Sequence, residues 1–282
     1  MFLTRFRINT GRPGARRLLA SPQAMHAAVM SSFPALLPTD APPGPQDPRV
    51  LWRLDHTTRA EVHLYVVSPA SPDLTHLVEQ AGWPAAAAAD PTTPGWQTKD
   101  YGPLLARLSA GDRWAFRLTA NPIHYIRRKD GEPTKRTAHL TPHHQMGWLL
   151  DRQDRCGFRI LQKPDDRRLL PEGTTHRGHL HHGDRYELTV TDKQNLSFTK
   201  APTDGGTATP SNPPNPRQGR TQRPVTLVTA TFDGRLEITD PEALRRTLTQ
   251  GLGRARAYGC GLLTLAPLPH PAPAPPALTR PL

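Results

Sequence analysis

Residues 2–9 set Phe2, Leu3, Phe6 and Ile8 against Thr4, Arg5, Arg7 and Asn9, the alternation of a strand with one polar face. Gly11 to Gly14 predict a turn. Ser21-Pro22 then predicts a helix start, with Ser as N-cap and Pro at the first helical position. That helix is expected to run to about Phe33, where Pro34 stops it. Strands are expected at Val50–Leu54 and Glu61–Val67, a short helix over Pro72–Ala81, and a strand at Trp114–Thr119. The proline-rich residues 38–48 read as a loop, and residues 84–98, with five consecutive alanines, as a low-complexity insertion.

The second half repeats this more loosely. A short strand is expected at Arg136–Leu140, and Thr141-Pro142 opens a helix to about Arg155. Gly157–Gln162, Arg185–Thr191 and Val225–Phe232 have strand character, and Asp233-Gly234 predicts a hairpin leading into Arg235–Ile238. Asp240-Pro241 caps a helix to about Gln250, and Gly259–Ala266 supplies a last buried strand. The first half reads strand, helix, strand, strand, helix, strand, and the second follows that order loosely. The fold class expected is therefore α+β, two tandem ferredoxin-like domains each with an antiparallel sheet and helices on one face. Their expected limits are 1–125 and 135–267, with a proline-rich insertion at 201–224 and a disordered Pro/Ala tail at 268–282.

Composition bears mainly on partners. The 282 residues carry 36 Lys+Arg against 24 Asp+Glu, a formal net charge of +12 that favours a polyanion. A general preference for Arg over Lys yields the same charge without a nucleic-acid partner. The two cysteines, Cys156 and Cys260, lack metal-ribbon spacing and suit a reducing cytoplasm. Neither a signal peptide nor an apolar run of membrane-spanning length is legible, so no membrane role is expected.

Several chemistries fail on order or context. Gly251-Leu252-Gly253 and Gly259-Cys260-Gly261 follow a helix and open a strand, the reverse of a dinucleotide fingerprint. His176, His179, His181 and His182 form the one cluster with metal-ligand chemistry, but no ordered helix is expected there to hold it. Neither a metal nor a cofactor is expected. RNA cleavage remains attractive because the neighbouring 2′-OH is its own nucleophile. The protein need only move protons and offset charge on the phosphorane.

His26 lies on the flank of the stripe Met25, Val29, Phe33, with Gln23 on its side three residues earlier. A boundary histidine there can pack or react. Gly253, Arg254, Arg256 and Gly259 make a glycine-rich loop able to offer N–H groups and guanidinium to a phosphate, or simply a tight connection. Arg127, Arg128, Lys129, Lys135 and Arg136 make a phosphate track or a solvated linker.

Four segments in order carry a resemblance. They are Met1–Ile8; Arg16-Arg17-Leu18 leading to Met25-His26; Phe116 through Ala120-Asn121-Pro122; and Gly251–Pro267. Together they resemble the CasE (Cse3) family of CRISPR type I-E endoribonucleases. The resemblance implies a metal-independent endoribonuclease that cuts CRISPR precursor RNA at the base of the repeat hairpin. Its products would be a 2′,3′-cyclic phosphate and a 5′-OH, and it would keep the mature crRNA as a subunit of the Cascade complex. It implies His26 as the catalytic residue. Gln23 stands where the family commonly has Tyr, Arg256 matches a basic position of the loop, and Arg16 and Arg17 join the basic residues expected on RNA. A non-cutting CRISPR RNA-binding subunit is the alternative, and a DNA-binding regulator on the same scaffold a third reading.

Overall fold

The computed structural model describes residues 1–33, 47–58, 61–83, 95–126, 134–169, 175–176, 179–180, 184–198 and 225–268. The first half is built from β1 (Phe2–Asn9), α1 (Pro13–Ala20), α2 (Pro22–Met30), β2 (Leu51–His56), β3 (Glu61–Ser68), α3 (Thr75–Ala81) and β4 (Trp96–Asp100). Its strands form one antiparallel sheet in the order β2-β3-β1-β4. After α4 (Gly102–Arg107) come β5 (Arg113–Ala120), β6 (Ile123–Ile126), β7 (Lys135–Ala138), α5 (Pro142–Leu150) and β8 (Phe158–Ile160). They are followed by β9 (Thr175–His176), β10 (His179–Leu180), β11 (Leu188–Phe198), β12 (Val225–Ile238), α6 (Pro241–Gln250) and β13 (Leu263–Ala266). The second sheet has the order β11-β12-β5-β13, with β8 on the far end of β12. Taking β5, β11, β12 and β13 as its four strands, both sheets share one order. This is the ferredoxin-like arrangement, occurring twice.

Side-chain chemistry fixes the helix starts. Ser21, Thr141 and Asp240 each accept a hydrogen bond from a first-turn N–H, and each is followed by Pro at the first helical position. One core joins Phe6 and Ile8 of β1 to Met25 and Val29 of α2 and to Leu77 of α3. The other gathers Phe116, Leu118, Trp148, Phe158, Phe232 and Leu248. Leu51 and Val67 of the first sheet belong to that second cluster, so the two halves share a seam.

The seam is also polar at one point. Successive residues of β2 face opposite ways, so Trp52 enters the first core while Arg53 turns to the second sheet. Arg53 is 2% exposed. It chelates Asp55 (2.6 and 2.9 Å) and donates to the Arg117 carbonyl (2.8 Å), the Leu262 carbonyl (3.0 Å) and Thr264 Oγ1 (2.9 Å).

Several expectations are corrected. The strand at Trp114–Thr119 does not close the first sheet. It is the core of β5, paired to β12 and β13, which puts it on the second side of the boundary expected near residue 125. The first sheet is closed instead by β4, which overlaps the end of the stretch expected to be an insertion and is paired from Phe2 with Asp100 to Phe6 with Trp96. As an edge strand with mostly exposed residues, β4 lacks the buried alternation that marks a strand in sequence. Asp233-Gly234 makes no hairpin. β12 runs through it, because a Cβ on Gly234 would lie 2.4 Å from the Glu187 carbonyl and 3.0 Å from the Phe116 ring. Asp233 chelates Arg117 across the strands (2.6 and 3.1 Å). The turn expected before residue 15 is followed by α1, an unexpected helix whose buried side is only Ala15 and Leu18. Finally, β7 pairs with β6 as a separate hairpin rather than joining the second sheet.

Candidate functional site

Burial of Met25 and Val29 fixes the rotation of α2 and leaves His26 half-buried at its flank, as the stripe predicted. The His26 Nδ1 is buried without a hydrogen-bond partner among the described residues. Burial lowers the imidazole pKa from its ordinary 6.5, so the ring is neutral near pH 7. Gln23, one turn earlier, is likewise half-buried.

Against α2 packs a short turn, Arg256–Tyr258, in the loop from α6 to β13. Left-handed backbone bends this loop at Gly253 (φ +86°), Ala255 (φ +61°) and Gly259 (φ +78°). Gly259 is required twice over, since a Cβ would also lie 2.7 Å from the Trp52 ring. Gly253 sits against Trp148 of α5, where a Cβ would be 3.2 Å from the ring. The loop is thus braced on one tryptophan from each half. Gly261 N–H donates to the Thr119 carbonyl (2.7 Å), tying the loop to the end of β5. Asn121 of Ala-Asn-Pro is buried and donates to the Val228 carbonyl (2.6 Å), so that motif fixes where β5 leaves the sheet.

Beside the loop opens a cleft of about 970 Å³. Arg49, Lys135, Arg136, Arg254 and Arg256 line it with Tyr258, and its described lining contains no acidic residue. Arg256 Nε and Arg49 Nε are both buried without hydrogen-bond partners among the described residues. Burial, and then the neighbouring Arg49, lower the pKa of Arg256, though a guanidinium remains charged at any ordinary pH. Half-buried cations that neighbour each other in this way are favoured by an anion between them. The chemistry that fits this cleft is a phosphate; His26 is not among the lining residues and sits on the helix packed against the loop.

The structure brings Gly253, Arg254, Arg256, Gly259, Lys135 and Arg136 to this region, with His26 and Gln23 on the helix packed against it. Arg16 and Arg17 are exposed on α1 and do not line the cleft. Arg127, Arg128 and Lys129 lie outside the described residues, as do residues 201–224, residues 269–282, His181 and His182. Among the described residues no group of three His, Cys, Asp or Glu is arranged to hold a metal ion. No helix among them is long and apolar enough to cross a membrane. Arg49 was not foreseen, because a lone arginine after a proline-rich stretch gives no sequence signal.

The model of a family described as CRISPR associated protein matches residues 1–267. The chain belongs to this family. Among its relatives, the CRISPR-associated endoribonuclease Cse3 of Thermus thermophilus is 26% identical over 275 residues, covering 95% of this chain and all of the relative. The structure of Thermus thermophilus Cse3 bound to an RNA representing a pre-cleavage complex is similar with a TM-score of 0.62 at 25% identity, covering 94% of this chain and 98% of that one. Cas6e from Escherichia coli K-12 shares the fold at a TM-score of 0.53 and 20% identity, covering 95% of this chain and all of that one. For a CRISPR associated protein, a cleft lined by cations and free of acids is suited to RNA phosphates.

Proposed function

We propose that this chain is a metal-independent endoribonuclease that cuts CRISPR precursor RNA at the base of the repeat hairpin. It would act in the cytoplasm and retain the mature crRNA as a Cascade subunit. The observation that carries the reading is the packing of α2, which carries His26, against the Arg256–Tyr258 turn of the glycine-rich loop. The relative named endoribonuclease Cse3, similar over its whole length, supports it. So does the ferredoxin-like division, which we assign with Arg113–Ala120 in the second domain.

In this scheme Arg256, Arg254, Arg49 and backbone N–H groups of the loop offset charge on the phosphorane. Lys135 and Arg136, with Arg127, Arg128 and Lys129, hold stem phosphates, and Arg16 and Arg17 add a basic approach. Neutral His26 takes the proton from the 2′-OH, whose oxygen attacks phosphorus while the P–O5′ bond breaks. The departing 5′-oxygen takes its proton from water, and the products are a 2′,3′-cyclic phosphate and a 5′-OH. The Gln23 amide donates a hydrogen bond but transfers no proton at neutral pH, so the proton work falls on His26.

The deciding experiment is incubation with the cognate repeat hairpin in EDTA. Cleavage with a cyclic-phosphate end is expected, and cleavage that stops with the chelator overturns the reading. Gln23 favours one other reading, a subunit that binds CRISPR RNA without cutting. Any cyclic-phosphate product from the wild type eliminates it.

The role of His26 as base fixes the sign of a pH profile, and its lowered pKa fixes the side on which the midpoint falls. The base is the neutral form, which is lost as pH falls through the His26 pKa. The rate at sub-saturating RNA, which follows kcat/KM, is therefore expected to rise with pH and level off, with a midpoint below 6.5. A rate that falls between pH 5 and 7 would make His26 the acid instead.

A further inference from the structure

The β6–β7 hairpin carries an aromatic residue that the scheme above leaves unused. Tyr125 is 54% exposed, among the largest exposures of any described aromatic side chain, although it stands on a paired strand opposite Arg136. The guanidinium of Arg254 lies over its ring, 5.8 Å from the centroid. Tyr125 therefore stands beside the cleft, joined to the loop that carries Arg256.

The other side of β6 explains why Tyr125 is held outward. His124 points the opposite way and its ring lies 4.3 Å from that of His139, which in turn stacks on His144 of α5 at 5.8 Å. Gln145 Nε2 donates to the His139 carbonyl and His139 N–H to the Pro122 carbonyl, both at 2.9 Å. The base of the hairpin is thus fixed to α5, and Tyr125 has little freedom to fold inward. An aromatic ring left exposed on a braced strand costs apolar hydration unless a partner covers it. Its neighbours Arg136, Lys135 and Arg254 are all cationic and select a partner that is both anionic and flat.

We propose that Tyr125, backed by Arg254, is a stacking platform for an unpaired RNA base at the junction between the hairpin stem and its single-stranded flank, next to the scissile phosphate. This rests on the endoribonuclease reading above. A nucleotide is the chemistry that satisfies both surfaces: its base covers the ring, and its phosphates meet the cations. Stacking tolerates any base, so the platform sets where the junction sits rather than which sequence is bound. It fixes the phosphate's place relative to Arg256.

The test uses the full chain and a repeat hairpin with 2-aminopurine at either nucleotide flanking the cut. Binding to wild type is expected to quench the fluorophore at one of these positions. Tyr125→Leu is expected to lose that quench and weaken binding by about 5- to 150-fold, the range of one base–aromatic stack. Tyr125→Phe, which keeps the ring, is expected to retain both. Wild-type quench and affinity in Tyr125→Leu overturn the platform, and so does a loss in Tyr125→Phe as large as in Tyr125→Leu. Wild-type cleavage of the same RNA in EDTA is read in parallel. If cleavage is present while Tyr125→Leu is unchanged, only the platform fails. If the wild type neither binds nor cuts, the endoribonuclease reading fails and takes the platform with it.

Discussion

His26→Ala is expected to lower single-turnover cleavage of the repeat hairpin by about 10²–10⁴-fold, the usual share of one acid–base group. Binding of the same RNA is expected to stay within about threefold, because the phosphate contacts that dominate affinity come from the arginines and lysines of the cleft. The substitution is also mild for the fold. His26 is half-buried, its Nδ1 has no partner to leave unsatisfied, and Ala is the best residue for a helix interior. A quench-flow time course beside a gel-shift titration checks it. A rate within tenfold of wild type would remove His26 from the chemistry, and equal losses in rate and affinity would make it a binding residue.

Arg53→Met is expected to cost about 3–5 kcal/mol of unfolding free energy, read as a lower urea midpoint. Arg53 is 2% exposed; its guanidinium is held by Asp55 of its own strand and bridges to the other half through two carbonyls and Thr264. Methionine approximates the stem and offers no donor. It leaves Asp55, itself 9% exposed, without its chelating partner, and removes the guanidinium donor from the Arg117 and Leu262 carbonyls. Arg117, 3.7 Å from Asp55, is too far to replace both bonds. The double change Arg53→Met with Asp55→Leu is expected to recover much of the loss, since removing both charges also removes their desolvation penalty. A single variant within about 1 kcal/mol of wild type would mean that the pair merely breaks even with apolar packing.

The readable part of the fold was what local chemistry fixes. Ser21-Pro22, Thr141-Pro142 and Asp240-Pro241 announce three helices, because cap and fixed φ act within one turn. The alternation in β1 and β3 is plain because each has one buried face. Pairing partners were not readable. Nothing local to Trp114–Thr119 says which sheet it joins, and Gly234 signals a turn unless the approaching Glu187 and Phe116 are known. In the site, His26 and the loop were legible, but the packing of α2 against the loop was not, since only the docking of the two halves creates it. Arg49 and Tyr125 carried no pattern of their own.

The glycine-rich loop leans on Trp52 from one half and Trp148 from the other, and it is completed only by the last strand, β13. This has a consequence for the order of synthesis. The half carrying His26 leaves the ribosome first and can close its own sheet, because β1 to β4 are all present once Asp100 has emerged. Arg256 and Gly259 arrive near the end of the described chain. On the scheme proposed, a nascent chain therefore holds its proton acceptor long before its phosphate cradle. The enzyme is born inactive and is switched on by its own completion.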